Sequence, residues 1–204
     1  MLIKNFIEFH NIHKGKKIVV CGCGQSLIDF AKHKDNFITI GVNDVPQLFD
    51  PTYIVVTDHP NRFNIERREF INESKAKHLF TCVGGWAHPR LVNFKLGGKG
   101  SAHLDIPDKV DHFLNSPYTS INIAYKMGAS NIAIVGVDFT DGHFYKQKDG
   151  PHSLARMGYL DDLLWAYGHI KDELAKRGVG LFNLSPISKI DTVPYMNVED
   201  FKAL

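Results

Sequence analysis

Long apolar runs are absent: no stretch approaches the roughly 18–20 uninterrupted apolar residues that a membrane-spanning helix needs. A membrane span is therefore not expected. Cysteine is scarce, with 3 in 204 residues; an odd number cannot pair completely, and Cys21 and Cys23 stand too close for an ordinary disulfide bond. That usage points to a reducing, cytoplasmic setting, and the lone CGC tripeptide lacks the paired motifs of a structural zinc site. Charge of one sign is lacking too. The 24 Lys and Arg against 22 Asp and Glu leave a formal +2 with histidine neutral, too little to imply a nucleic-acid partner. The opening MLIKNFIEFHNI has no small-residue cleavage site behind it and is expected to be a short amphipathic helix rather than a secretory leader, giving a soluble protein.

What is present is the material of one globular core. An apolar share of 44% and a charged share of 23% are ordinary, and the length suits one large domain over 1–204. Short β-branched runs alternate with helical stretches along the chain. Ile18 to Gly22 reads as a strand that breaks into Gly-Cys-Gly-Gln-Ser and then a helix, Ser26 to Lys34. Phe37 to Asp44, Thr52 to Asp58 and Ala76 to Val83 read as further strands, with a polar, helix-prone stretch over Asn61 to Ser74. Thr119 to Gly128 reads as a helix, Asn131 to Asp138 as a strand, Ser153 to Arg177 as the longest helix, Gly180 to Ser185 as a last strand, and NVEDFKAL as a terminal helix. Strands alternating with helices predict an α/β, Rossmann-like, mostly parallel sheet with helices on both faces. Segment 84–117 is glycine-bearing and weakly periodic. It is expected to be a loop-rich insertion with a small β element, serving as a lid over a site at the strand ends.

Several residues at those strand ends carry candidate chemistry. Gly22, Cys23 and Gly24 follow a strand and open a helix, so free N–H groups and the helix dipole there suit a phosphate, although a plain tight turn has the same sequence. A dinucleotide fingerprint would need a third glycine where Leu27 stands, which disfavours NAD. Asn43 and Asp44 end the next strand, where an acid would hold a ribose hydroxyl. Thr119 and Ser120 open their helix, suited either to a phosphate or to simple capping. Asp58 and His59 are either an acceptor contact or a loop cap before Pro60. Asp138, Asp141, His143 and His152 could gather a Mg²⁺ or Mn²⁺ ion if their loop folds back. Trp86, Lys95 and Lys99 either stack on and steer an acceptor or belong to the ordinary surface.

GxGxSL after the first strand, Asn43 at the end of the second, TSxxxAxxxGxxxIxxxGVDF over Thr119 to Phe139, a tyrosine in the next loop, His152-Ser153 and a late Ser-Pro resemble, in order, the small bacterial sialyltransferases that use CMP-sialic acid. The glycine turn and the GVDF strand end are also similar to those of the MptE-like pterin pyrophosphokinases. The first resemblance implies that the glycine turn, Ser26, Asn43, Thr119 and Ser120 surround a nucleotide, with Asp138 on ribose or orienting its loop. It implies that His152 is the general base toward an acceptor hydroxyl and that Tyr145 stabilises the departing phosphate. Cys23 stands where those enzymes have an asparagine, and Thr140 where they have a second tyrosine.

The function expected on this basis is metal-independent sugar transfer from a nucleotide-sugar donor to an unidentified hydroxyl acceptor, with no cofactor required. Mg²⁺-dependent pyrophosphoryl transfer from ATP and non-enzymatic nucleotide binding are the alternatives. Either a monomer or an oligomer is compatible with the sequence.

Overall fold

The computed structural model describes residues 4–140, 142–145 and 158–204. Among these, eight strands form one sheet: β1 (Lys4–Asn5), β2 (Lys17–Cys21), β3 (Ile38–Val42), β4 (Tyr53–Val56), β5 (His78–Thr81), β6 (Leu91–Asn93), β9 (Asn131–Val135) and β10 (Gly180–Asn183). Their order is β1-β6-β5-β4-β3-β2-β9-β10, and every neighbouring pair is parallel. The chain winds outward from β2 to β6 and then returns to build β9 and β10 on the other side of β2. That reversal opens a crevice at the carboxyl ends of the central strands, the place where such sheets bind ligands.

The alternation of side chains in the central strands explains why both faces are covered. Ile18, Val20, Ile132 and Ile134 point to one face, against Ile121 and Ala124 of α3 (Ser116–Lys126) and Leu163, Tyr167 and Ile170 of α4 (Leu160–Ala175). Val19, Cys21, Ala133 and Val135 point to the other, against Leu27 and Phe30 of α1 (Leu27–Phe30) and Phe201 of α5 (Val198–Ala203). At the other end of the sheet Ile71 of α2 (Ile65–Glu73) packs with Ile54, Val56 and Trp86. The α/β, mostly parallel architecture expected from the alternating pattern is the one observed.

Four local expectations are corrected. The opening segment is not an amphipathic helix over Met1 to Ile12: Lys4 and Asn5 add a strand beside β6, and Asn5 then caps a 3-10 turn over Phe6–Phe9, with Glu8 reaching back to the Asn5 N–H. Phe6 and Phe9 bury against Phe80 at ring centroids 5.7 and 5.0 Å, so pairing at the sheet edge wins over a free-standing helix. The stretch from Ser26 to Lys34 is only four residues of α-helix before it tightens into a 3-10 turn over Ala31–Asn36.

Segment 84–117 is not wholly outside the sheet, because Leu91–Asn93 pairs with β5. It continues into a parallel pair, β7 (Lys95–Lys99) with β8 (Lys109–His112). The loop between them is fastened to α3 by the buried Lys126, whose Nζ donates to the carbonyls of His103, Leu104 and Ile106 at 2.9, 2.7 and 2.8 Å. Finally, α3 starts at Ser116 rather than Thr119. The Asn115 side chain accepts from the Tyr118 N–H at 3.0 Å, and Pro117 sits in the first turn, where its missing N–H removes no helical bond. In α4 the described helix begins at Leu160; the Ser153 end of the expected helix lies outside the described residues.

Candidate functional site

A cavity of about 740 Å³ lies in the crevice at the carboxyl ends of β2, β3, β4 and β9. Cys23 and Gly24 from the glycine turn, Asn43 and Asp44 after β3, Asp58 after β4, Asn115 to Pro117 at the head of α3, and Gly136 to Thr140 after β9 all reach its wall. Arg62, Arg67, His143 and Tyr145 close its sides.

Three of the four described non-glycine residues with left-handed backbone, Asn43 (φ 48°), Leu114 (φ 53°) and Phe139 (φ 51°), are on this wall. Asn tolerates that region, but a Leu or Phe there stores roughly 1–3 kcal/mol of strain, of the kind that concentrates at ligand sites. The polar groups of the wall are also incompletely used. Asn43 Oδ1, Thr140 Oγ1 and Asn115 Nδ2 are buried, and none has a hydrogen-bond partner. Asn115 is oriented by its other atom: its Oδ1 accepts from the Tyr118 N–H and from the Tyr167 hydroxyl at 3.1 Å, which leaves the amide N–H₂ for the cavity. Buried polar groups are almost always partnered, so one acceptor, one donor and one hydroxyl on a shared wall call for a ligand or water with polar edges.

The glycine turn is shaped by its neighbours. A Cβ on Gly22 would collide with the Gly136 carbonyl, and one on Gly24 with the Asp138 carboxylate. Gly22 is thus required for backbone packing and is not on the cavity wall, whereas Cys23 and Gly24 are. Ser26 does not face the cavity as the resemblance implied. Its hydroxyl donates to Asp138 Oδ1 at 2.6 Å and accepts from the Gly136 N–H at 2.9 Å, while its own N–H donates to Asp138 Oδ2. Asp138 also accepts from the Ser185 hydroxyl at 2.7 Å. Asp138, itself on the cavity wall, thus ties the glycine turn to the loop after β10.

Thr119 and Ser120 are buried a turn inside α3, their hydroxyls donating back to the carbonyls of Asn115 and Ser116. They are corrected as wall residues: Asn115 and Ser116 occupy that place, because the helix begins earlier than the motif suggested. His59 is a cap, its Nδ1 accepting from the Asn61 N–H at 3.3 Å, while Asp58 reaches the wall beside Arg62 at 3.3 Å. Cys23 donates its thiol to the Val42 carbonyl at 3.4 Å, and burial, with the Asp44 carboxylate nearby, pushes that thiol up and favours its protonated form.

Asp44 is the most heavily bonded side chain of the site. Arg67 grips it through two nitrogens, Nε to Oδ1 at 2.7 Å and Nη2 to Oδ2 at 2.6 Å, and Gln47 donates at 3.0 Å. The Tyr145 hydroxyl donates to the same Oδ2 at 2.9 Å, and burial, then the adjoining Cys23 and Asp44, push that hydroxyl up. The Tyr145 loop is held down as well by the Phe144 N–H, which donates to the Cys23 carbonyl at 2.9 Å. The guanidinium of Arg67 rests 4.5 Å from the centre of the Phe63 ring. Arg67, one of two adjacent arginines in a largely polar helix and so unremarked in the sequence, holds Tyr145 through Asp44.

Of the remaining expected residues, His152 and Asp141 lie outside the described residues. Among those described, no group of three His, Cys, Asp or Glu is placed to hold a metal ion. Trp86 is buried against Phe63 and donates to the Asp58 carbonyl at 3.1 Å, so it supports the wall instead of stacking on an acceptor. Lys95 is exposed, and the Lys99 ammonium sits 4.7 Å from the Phe113 ring centre. No described helix is long and apolar enough to cross a membrane.

No family model matches the chain, and no curated protein matches it by sequence. Solved structures do. The sialyltransferase CstII from Campylobacter jejuni, in complex with the substrate analogue CMP-3FNeuAc, matches at TM-score 0.51 and 14% identity over 88% of this chain and 86% of that one. This chain shares its fold. The monofunctional α-2,3-sialyltransferase Cst-I from the same organism matches at TM-score 0.55 and 13% identity, over 89% and 80%. The MAf glycosyltransferase from Magnetospirillum magneticum AMB-1 matches at TM-score 0.59 and 14% identity over 97% of this chain, which spans 39% of that longer one. At these identities the likeness is one of fold.

Proposed function

We propose that this protein is a glycosyltransferase that takes a sugar from a nucleotide-sugar donor bound in the cavity at the carboxyl ends of the sheet. The observation that carries it is the convergence of unpartnered Asn43 Oδ1, Asn115 Nδ2 and Thr140 Oγ1 on one wall, in a fold shared with sialyltransferases. The two amides suit the polar edge of a base or the hydroxyls of ribose. The head of α3, with the Ser116 N–H and the positive end of the helix dipole, suits the phosphate.

In the proposed reaction the bond between the anomeric carbon and the phosphate oxygen breaks, and the electron pair leaves with the nucleotide. The Tyr145 hydroxyl, whose one proton goes to Asp44 in the resting site, turns to donate it to that phosphate, while Asp44 keeps Arg67 and Gln47. The acceptor hydroxyl attacks the anomeric carbon and gives its proton to His152 as a neutral imidazole. No metal takes part, and a cytoplasmic setting is proposed with it.

A thermal-shift panel of CMP, UDP, GDP, ATP and NAD, each with and without Mg²⁺, tests the donor site. A nucleotide that binds only the folded state raises stability by about 2.7 kcal/mol at a hundredfold excess over its dissociation constant. Stabilisation by CMP, UDP or GDP without Mg²⁺ is the expected result. Stabilisation by ATP alone, and only with Mg²⁺, would turn the proposal to pyrophosphoryl transfer.

A further inference from the structure

We propose that the indole of Trp165 is a stacking platform for an uncharged pyranose ring of the acceptor, outside the donor cavity and tied to its wall through Phe113 and Leu114. The platform rests on the transferase function proposed above and names the substrate class that this function leaves open.

The apolar stripe of α4 is buried at Leu163, Ala166, Tyr167, Ile170 and Leu174, but Trp165 is 60% exposed. Its ring is nevertheless held in place. The His169 imidazole, one turn on, stacks on it with centroids 5.2 Å apart and planes 3° from parallel, and Phe113 tilts against it at 6.1 Å. Phe113 is followed by Leu114, a left-handed residue on the cavity wall that is 39% exposed. Phe113, itself 6% exposed, therefore ties Trp165 to Leu114 on the wall of the donor cavity.

The rim of the platform is polar. Asp161 and Asp162, four and three residues earlier, share this side of the helix and are exposed. A flat ring with one face against an imidazole and carboxylates beside it matches a pyranose on its other face, since the sugar has an apolar C–H face and hydroxyls around its edge that donate to carboxylates. Two carboxylates against the single ammonium of Lys99 on Phe113 oppose an anionic sugar. A protein partner would need an apolar area many times one ring, since stable interfaces bury about 1,200–2,000 Å².

The chain has two tryptophans, and the other, Trp86, is 5% exposed, so the part of an emission change that Trp165→Phe removes reports Trp165. Titration of the whole protein with lactose and with methyl β-galactopyranoside should change that emission saturably, and glucuronate should do so more weakly. Trp165→Ala should abolish sugar binding measured by calorimetry, and Trp165→Phe should keep part of it. In turnover, Trp165→Ala should raise the KM for acceptor by roughly tenfold and leave kcat and donor hydrolysis unchanged.

Binding of neutral sugars that depends on Trp165, in a protein without transferase turnover, would keep the platform and remove the transferase function. Turnover with an acceptor KM indifferent to Trp165→Ala would remove the platform alone. A neutral-sugar titration and a glycan array that are silent for both forms would also overturn it. So would a change of mass in light scattering on Trp165→Ala, which would give this face to a second copy of the chain.

Discussion

The Tyr145 hydroxyl donates to Oδ2 of Asp44, the oxygen that Arg67 Nη2 also holds. One carboxylate thus joins the loop after β9, the end of β3 and helix α2 across the cavity. Tyr145 is therefore held by a charge pair far from it in sequence.

Tyr145→Phe keeps the ring and removes the donor. Stability should fall by only about 1 kcal/mol in chemical denaturation, because Asp44 retains Arg67 and Gln47. Turnover should fall by roughly 10²–10³-fold, as for loss of one preorganised donor to developing charge. A variant with undiminished turnover would leave Tyr145 as a packing residue.

Gly24→Ala is expected to destabilise the fold irrespective of ligand, since its Cβ would strike the Asp138 carboxylate and the Gly136 carbonyl. Overpacking of this kind costs about 1–3 kcal/mol. Gly84→Ala, whose Cβ would meet nothing within 4 Å, should shift stability by no more than about 0.5 kcal/mol. Thermal melts of the two variants without nucleotide make the comparison.

Acid should weaken the fold through histidine. His88 is fully buried; its Nδ1 accepts from the Arg90 N–H at 3.2 Å and its Nε2 faces the Ser74 carbonyl, so the neutral ring is the bonded form. Burial lowers its pKa from the ordinary 6.5, as it does for His13 and His78. The unfolded chain then binds more protons than the folded one just below pH 6.5, and stability rises with pH there. Denaturation midpoints should therefore fall on acidification below pH 6.5, with a shallower fall in His88→Gln.

His152→Ala tests the base. Turnover should drop by roughly 10²–10⁴-fold while nucleotide-dependent stabilisation stays the same. A defect confined to donor binding would show that another group takes the acceptor's proton.

Much of this architecture is legible in the sequence because each central strand is a short β-branched run closed by glycine or polar residues. Asn43, Gly24 and Cys23 reach the cavity wall for that reason, as strand-end residues in a parallel sheet. Arg67 was not legible, since its partner Asp44 lies on another element and only tertiary packing brings them together. Asn115 and Ser116 were missed for a local reason: Pro117 reads as the residue before a helix but is in its first turn. Ser26 and Asp138 sit in the expected region, yet they bond to each other, which no spacing rule reveals.

Gly22 and Gly136 face each other so closely that a Cβ on either would meet the carbonyl of the other. Neither position can change alone, and enlarging both would force β2 and β9 apart at the ends that frame the cavity. The two glycines, 114 positions apart in the chain, therefore form a paired mark of this architecture. A remote sequence that has the strand-turn motif at one position and a bulkier residue at the other must close its crevice differently, whatever chemistry it performs there.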